Sequence, residues 1–344
     1  LGDVYKRQGV YGASSPRMNV ADLRTKGWEA SITWGDSFTL ASKPFNYRIM
    51  AGIGDNTSKV TKYDNPNRTL TDPYEGQQLG EIWGYVVDGY FKTDEEARNY
   101  KVDQSFVNQM INASALDNGL HAGDLKFVDL DGNNKIEQTT SANDRKDMKV
   151  IGNSLPRYNY NFGISADWYG IDFSVLFQGI GKQNWYPGAE TSMFWGPYSR
   201  PYASFIPSDF MSQVWSEENT DAYFPRPRGY VALGSNRELA VVNTKYLQNL
   251  AYCRLKNLSI GYTLPDKWLS KMGFEKIRVY FSGENLLTFT KLHSDYIDPE
   301  QASASNSWKT SKSDANIYPW AKTYSFGVDI TCLLYTSPSP RDCS

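Results

Sequence analysis

Along most of the chain, apolar and polar residues alternate with period two, the pattern of strands that show one apolar face. Trp28, Ala30, Ile32 and Trp34 alternate with Glu29, Ser31 and Thr33, and Phe45, Tyr47, Ile49, Ala51 and Ile53 with Asn46, Arg48, Met50 and Gly52. The cleanest run is Tyr158–Trp168, and a short turn at Tyr169-Gly170 leads from it into Ile171, Phe173, Val175 and Phe177. Further strands are predicted at Leu258–Leu264, Ile277–Phe281 and Tyr324–Thr331, with Pro265–Gly273 as a short helix-like link. The chain reads as all-β.

The polar partners bear on which β architecture is meant. A soluble sandwich usually carries Lys and Glu on its outer face. Here the partners are mostly Ser, Thr, Asn, Gly and Asp, and Trp28, Trp34, Tyr158 and Trp168 sit at the predicted strand ends. Aromatic girdles, apolar residues between them and a polar interior are features of an antiparallel transmembrane β-barrel. Short connections such as Tyr169-Gly170 contrast with the long segments Asn184–Gln248 and Lys291–Pro319, as in a barrel with turns at one end and loops at the other. The competing architecture is a secreted β-sandwich that binds carbohydrate, which would share both the alternation and the loop aromatics.

Composition narrows the functional classes. A formal net charge of −2 over 344 residues lacks the basic excess of a nucleic-acid binder. No run approaches the roughly 20 apolar residues of a membrane helix, which leaves a barrel open. The two ends read as foreign. Leu1–Gln8 and Cys332–Asp342 can be encoded by strings that are reverse complements over their shared length, as in a transposase sequencing adapter. Residues 1–8 and 332–344 are therefore expected to be artefacts flanking a native segment 9–331, which keeps Cys253 as its one cysteine and has no internal disulfide.

Candidate chemistry is sparse. Asp129-Leu-Asp131-Gly-Asn133-Asn134-Lys135-Ile-Glu137 resembles a calcium loop, in which oxygens at alternate positions converge on a hard cation. Asp129, Asp131 and Asn133 would give side-chain oxygens, Lys135 its carbonyl and Glu137 a direct or water-mediated ligand. Asn134 stands where Gly normally makes the sharp turn, and Thr140 where the bidentate acid belongs, so Asp144 would have to reach in. An Asx-rich turn without metal is the alternative. His121 and His293 lie in loops outside any metal-ligand pattern, and no catalytic residue or catalytic cofactor is assigned. Trp185, Trp195 and Tyr198 crowd one loop, where flat rings would either contact a substrate or partner protein or pack the loop against itself.

Several ordered strings resemble the SusC/RagA family of TonB-linked outer-membrane transporters of Bacteroidetes. They are Glu75-Gly-Gln-Gln-Leu-Gly-Glu-Ile-Trp-Gly-Tyr85, Gly123-Asp-Leu-Lys-Phe-Val-Asp129, Val150-Ile-Gly-Asn153, Trp215–Arg226, Gly261-Tyr-Thr-Leu-Pro265 and Ser282-Gly-Glu-Asn-Leu-Leu-Thr288. The resemblance runs from about Asn19 to Thr331. It implies the C-terminal part of a plugged barrel of the ~22-strand class, roughly eight to ten strands, with the plug upstream. It further implies import of glycans or oligopeptides, a SusD-like surface lipoprotein over the mouth, energy through TonB, and Trp185, Trp195 and Tyr198 as substrate or lid contacts. The family's last strand ends in an aromatic residue, so Phe is expected where Cys332 stands.

Overall fold

The computed structural model describes residues 20–108, 119–200, 205–269, 274–305, 312–313 and 318–332. The two terminal segments expected to be foreign, apart from Cys332, lie outside the described residues. In chain order, the strands are β1 (Ala21–Leu40), β2 (Lys43–Tyr63), β3 (Glu81–Tyr85), β4 (Val87–Tyr90), β5 (Leu125–Phe127), β6 (Met148–Asn153) and β7 (Arg157–Trp168). They continue with β8 (Ile171–Lys182), β9 (Asn184–Pro187), β10 (Gln248–Asn249), β11 (Tyr252–Thr263), β12 (Phe274–Thr290), β13 (Lys312–Ser313) and β14 (Thr323–Cys332). A seven-stranded antiparallel sheet in the order β1-β2-β7-β8-β11-β12-β14 forms a wall, and the other strands form small sheets in the connections.

Register explains the wall. One rung carries Phe38, Phe45, Trp168, Ile171, Tyr262, Val279 and Val328 across all seven strands. Another carries Trp34, Ile49, Ile164, Val175, Leu258, Gly283 and Tyr324. Because successive side chains point to opposite faces, these rungs make one continuous apolar face, and no second layer covers it among the described residues. Trp34 is 58% exposed, Ile164 42% and Val328 57%. A face of this extent left open to water would be far larger than the apolar patches of soluble monomers, so it is the lipid-facing side of a barrel wall and not half of a sandwich.

The opposite face is polar and small. Ser165, Ser174, Ser259, Ser282 and Ser325 share one rung on five adjacent strands. One charged group on this face is paired across the sheet: Arg278 bridges three strands, reaching Asp172 at 2.6 Å and Asp329 at 3.2 Å. Two tight turns close the hairpins at one end. Tyr169 and Gly170, at φ 51° and 84°, have the positive pair of angles of a type I′ turn, and Ala41 and Ser42 adopt the same sign without glycine. Indole N–H groups are satisfied near that end: Trp168 Nε1 donates to the Leu40 carbonyl at 3.2 Å and Trp34 Nε1 to the Tyr47 hydroxyl at 3.3 Å.

Two expectations are corrected. Trp28 and Trp34 lie inside a 20-residue strand rather than at its ends. The apolar stretch Trp28–Phe38 has the 9–11-residue span of a membrane strand, and the remainder of β1 and β2 continues past it as a polar ribbon carrying Asp22, Arg24, Lys26, Lys59 and Lys62. Asp55 marks the transition, facing Trp28 in register and clamped by Arg157 at 2.5 Å. The wall also has seven strands among the described residues, fewer than eight to ten, because the long connections fold into a body of their own.

The opposite environments of neighbouring residues give a direct test. Ile164→Lys, on the lipid side, is expected to cost about 2–4 kcal/mol of membrane-folded stability, and Ser165→Lys, one residue on, far less. Denaturant unfolding of full-length protein in lipid vesicles measures both. Equal effects would contradict the assignment of faces.

Candidate functional site

The buried core lies in the connections. Tyr85, Tyr90, Leu125 and Phe127 from the 64–156 region join Trp185, Tyr186, Phe194, Trp195, Tyr198, Phe210, Phe224 and Tyr246 from the 183–251 region in one cluster, with Leu292 and Ile297 from the next connection. Backbone bonds sew the regions together: Tyr85 N–H donates to the Val242 carbonyl and Thr244 N–H to the Tyr85 carbonyl, at 2.9 and 3.0 Å. Phe210 and Phe224 stack at 4.7 Å, and Phe194 stands edge-on to Trp195 at 4.8 Å, both favoured ring geometries.

Trp185, Trp195 and Tyr198 are 0%, 0% and 1% exposed. Trp195 Nε1 donates to the Gly188 carbonyl at 2.9 Å and the Tyr198 hydroxyl to the Pro225 carbonyl at 2.6 Å. The expectation that they contact substrate or lid is therefore corrected: their area is spent on packing the loop body, and they are closed to any ligand. Aromatic density along the sequence identified a real cluster but not which way its rings face.

The calcium-like loop closes on itself as its spacing requires. Asp129 accepts from the backbone of Gly132 and Asn134, both at 2.7 Å, and Asn134 takes the left-handed turn at φ 60°. Asn133 Oδ1 accepts from Lys135 N–H at 2.8 Å. Carboxylate oxygens of Asp129, Asp131 and Asp147 come within 4.8 Å of one another. Asp147, missed in the sequence, takes the place expected for Asp144, which lies outside this group. It is buried and accepts from the backbone of Leu130 and Glu137 at 2.9 and 2.7 Å. Burial, joined by the charges of Asp131 and Asp129, holds its pKa above the usual carboxylate range. Glu137 is turned aside to Lys146, at 2.8 Å. An all-oxygen donor set built from Asp129, Asp131 and Asp147 suits a hard cation, and three converging carboxylates are mutually repulsive without one.

A second buried cluster escaped the sequence reading, since charges in polar loops look solvated. Arg228 lies between Asp124 and Glu238, both 0% exposed. The Glu238 carboxylate is 3.2 Å from Arg228 Nε, an ion pair without hydrogen-bond geometry. Burial pushes Glu238 up to about 7, with the Arg228 charge opposing and the Asp124 charge adding to the rise. Two acids share one guanidinium, so one proton relieves the imbalance.

On the polar side of the wall an open recess of about 1030 Å³ is lined in part by Gly52, Asn159, Asn161 and Gln178. A lipid-facing wall, a polar lumen face and a folded loop body at one end define part of an outer-membrane β-barrel. No family model matches the chain. It is 27% identical over 338 residues to TonB-dependent receptor P3 of Formosa agariphila, covering 93% of this chain and 30% of that protein. It is 25% identical over 307 residues to TonB-dependent receptor P39 of the same bacterium, covering 81% and 28%. The RagAB peptide importer in its open-open state shares the fold with a TM-score of 0.62 at 19% identity, covering 93% of this chain and 30% of that one, and a further RagAB structure gives 0.60 at 18%. The chain is thus homologous to the TonB-dependent receptors of the bacterial outer membrane, and it spans about 30% of the length of the relatives it matches.

The buried acid cluster predicts a pH dependence with a definite sign. A carboxyl raised from 4.5 to about 7 on folding contributes stability that is fully present below 4.5 and is lost as the pH rises through about 7. Melting of the loop body, followed by tryptophan fluorescence of the full-length receptor, should therefore weaken from pH 5 to pH 8. Glu238→Gln should flatten that trend, and an unchanged slope in the variant would refute the assignment.

Proposed function

We propose that the receptor containing this chain imports glycans or oligopeptides across the outer membrane, working with a SusD-like surface lipoprotein and drawing energy through TonB. The observation that carries this reading is the combination, in one homologue of TonB-dependent receptors, of a lipid-facing wall with a polar lumen face beneath a folded loop body. Each part has a distinct physical task. The apolar rungs hold the wall in the bilayer, where every backbone group must be satisfied by strand pairing. The polar face, with its paired charges and small hydroxyls, offers a hydrated path that binds solutes weakly. The loop body gives a rigid surface on which a partner can seat. The task so described is binding and translocation, with no bond of the cargo broken.

The calcium-like loop has a bracing role in this reading. Asp129, Asp131 and Asp147 would hold a calcium ion, which supplies the positive charge that lets three carboxylates converge. The loop is already tied to its surroundings through Asp103, whose backbone bonds Asn134 and Ile136 at 2.9 and 2.8 Å, so an ion there would stiffen the adjoining part of the body.

Two measurements test these statements. In a host whose only route for the cargo is this receptor, uptake of labelled oligosaccharides or oligopeptides should fall to background when TonB is deleted, and the surface lipoprotein should co-purify with the receptor. Uptake that persists without TonB would overturn the import mechanism. For the loop, calcium at about 100 times its Kd should stabilise the full-length receptor by about 2.7 kcal/mol, reversibly on chelation. Asp129→Asn with Asp131→Asn should abolish that gain, and a wild-type receptor indifferent to calcium would remove the ion from the reading.

A further inference from the structure

The ribbon by which β1 and β2 continue past the wall carries a cluster of cations. Strand alternation puts Lys26 and Arg24 on the same outward side as Trp28, which they precede by two and four residues. Register sets Lys59 directly opposite Arg24 and, past a one-residue shift, Lys62 opposite Asp22. All four basic side chains are exposed. The tight turns at Ala41-Ser42 and Tyr169-Gly170 lie at the far end of the wall, and short turns mark the periplasmic side of such barrels. The cluster therefore stands at the outer leaflet.

Like charges directly opposite one another weaken strand pairing, yet Arg24 and Lys59 are so placed. Among the described residues none of Arg24, Lys26, Lys59 and Lys62 is in an ion pair. Nearby acids are committed elsewhere. Asp55, the one acid of β2, is clamped by Arg157. Glu81, on the segment that bridges Lys59 through Gln78, accepts from the Tyr74 hydroxyl at 2.8 Å and from Gln78 N–H at 3.0 Å. Glu29 alternates to the lumen side, where it lines the open recess. On the side of the cations the ribbon offers only Asp22. Depth is a second, independent observation. Trp28, 52% exposed, heads the apolar stretch, and tryptophan at that level marks the edge of the hydrocarbon. At about 3.3 Å per residue and a strand tilt of roughly 45°, Lys26 and Arg24 rise about 5 and 9 Å above it. A headgroup layer is about 5–8 Å deep, so Lys26 lies within it and Arg24, with Lys59 beside it, at its outer edge.

We propose that Arg24, Lys26 and Lys59, with Lys62 at the rim, form a docking site on the outside of the barrel for the phosphate group of an outer-leaflet lipid. A phosphate brings the missing negative charge and several acceptor oxygens, enough to bridge Arg24 and Lys59, whose Cβ atoms as a cross-strand pair stand roughly 5 Å apart. Below the phosphate, acyl chains continue along the apolar face past Trp28 to Ala30 and Ile32. A free phosphate ion would meet the same cations without that apolar half of the contact, so continuity with the lipid-facing wall selects a lipid. The site is independent of whatever the receptor imports.

The test is native mass spectrometry of the full-length receptor in detergent, titrated with lipid A as a phosphorylated glycolipid probe and with phosphatidylcholine as a zwitterionic one. Lipid A should be retained about tenfold more strongly than phosphatidylcholine, and the preference should shrink as salt is raised. Arg24→Gln with Lys59→Gln should weaken lipid A by about tenfold or more. Lys43→Gln, which removes a cation over the Tyr169 ring at the turn end, should leave it unchanged. Thermal unfolding in lipid-free detergent separates lost binding from lost fold, since the double variant relieves a repulsion and should melt no lower than wild type. Should the double variant fail to fold, Lys26→Gln reads the same site. Equal lipid A affinity in wild type and variant would overturn the site, and equal retention of the two lipids would overturn the role of charge. Displacement of lipid A by millimolar inorganic phosphate would make the occupant a free anion and overturn the lipid.

Discussion

The strand register is the constraint on which everything else depends. A slip of one residue in any wall strand would carry its whole apolar set from lipid to lumen. The seven strands avoid this over rungs that run unbroken from β1 to β14, such as that from Phe38 to Val328. Register shifts occur near strand ends, between Asp22 and Leu23 and between Phe274 and Lys276, and within the wall between Leu255 and Asn257. The shift between Leu255 and Asn257 frees Lys256 to pair with Glu300. Asn285 marks a comparable irregularity in β12, and its left-handed backbone lies where the loop body leans on the wall.

Two kinds of apolar packing therefore coexist in one chain. In the wall, apolar residues face outward and depend on lipid. In the loop body they face inward and depend on each other, with Trp185, Tyr186, Phe194 and Phe224 as fully enclosed as the core of a water-soluble domain. The hydrophobic effect acts in water on the second and not on the first. The body is accordingly assembled like a globular domain, with internal ion pairs such as Arg254–Asp298 welding it to the wall at chosen points.

Much of the wall was legible because period-two alternation is a local property. The Tyr158–Trp168 run and the Tyr169-Gly170 turn correspond to β7, its turn and the start of β8. The polar partners already favoured a lumen over an aqueous outer face. The loop body was not legible, since its contacts join residues 85, 127, 186 and 246, which no periodicity relates. The same holds at the level of sites. The Asp129–Glu137 spacing drew attention to a loop that does gather carboxylates, yet Asp147 enters through the fold and the spacing pointed instead to Asp144. Trp195 and Trp320 look alike as loop tryptophans, and only burial separates a core ring from an open one.

The serine rung has a mechanical consequence. At the height of Ser165, Ser174, Ser259, Ser282 and Ser325, no side chain on five adjacent strands extends beyond a single hydroxymethyl group. Such short groups have almost no rotamer entropy to lose and nothing long enough to interlock with a passing surface. On these five strands that height of the lumen face is short and smooth, whereas the same rung continues through Arg48 on β2 to Gly35 on β1. A body moving past these five strands would exchange one hydroxyl contact for the next without repacking the wall.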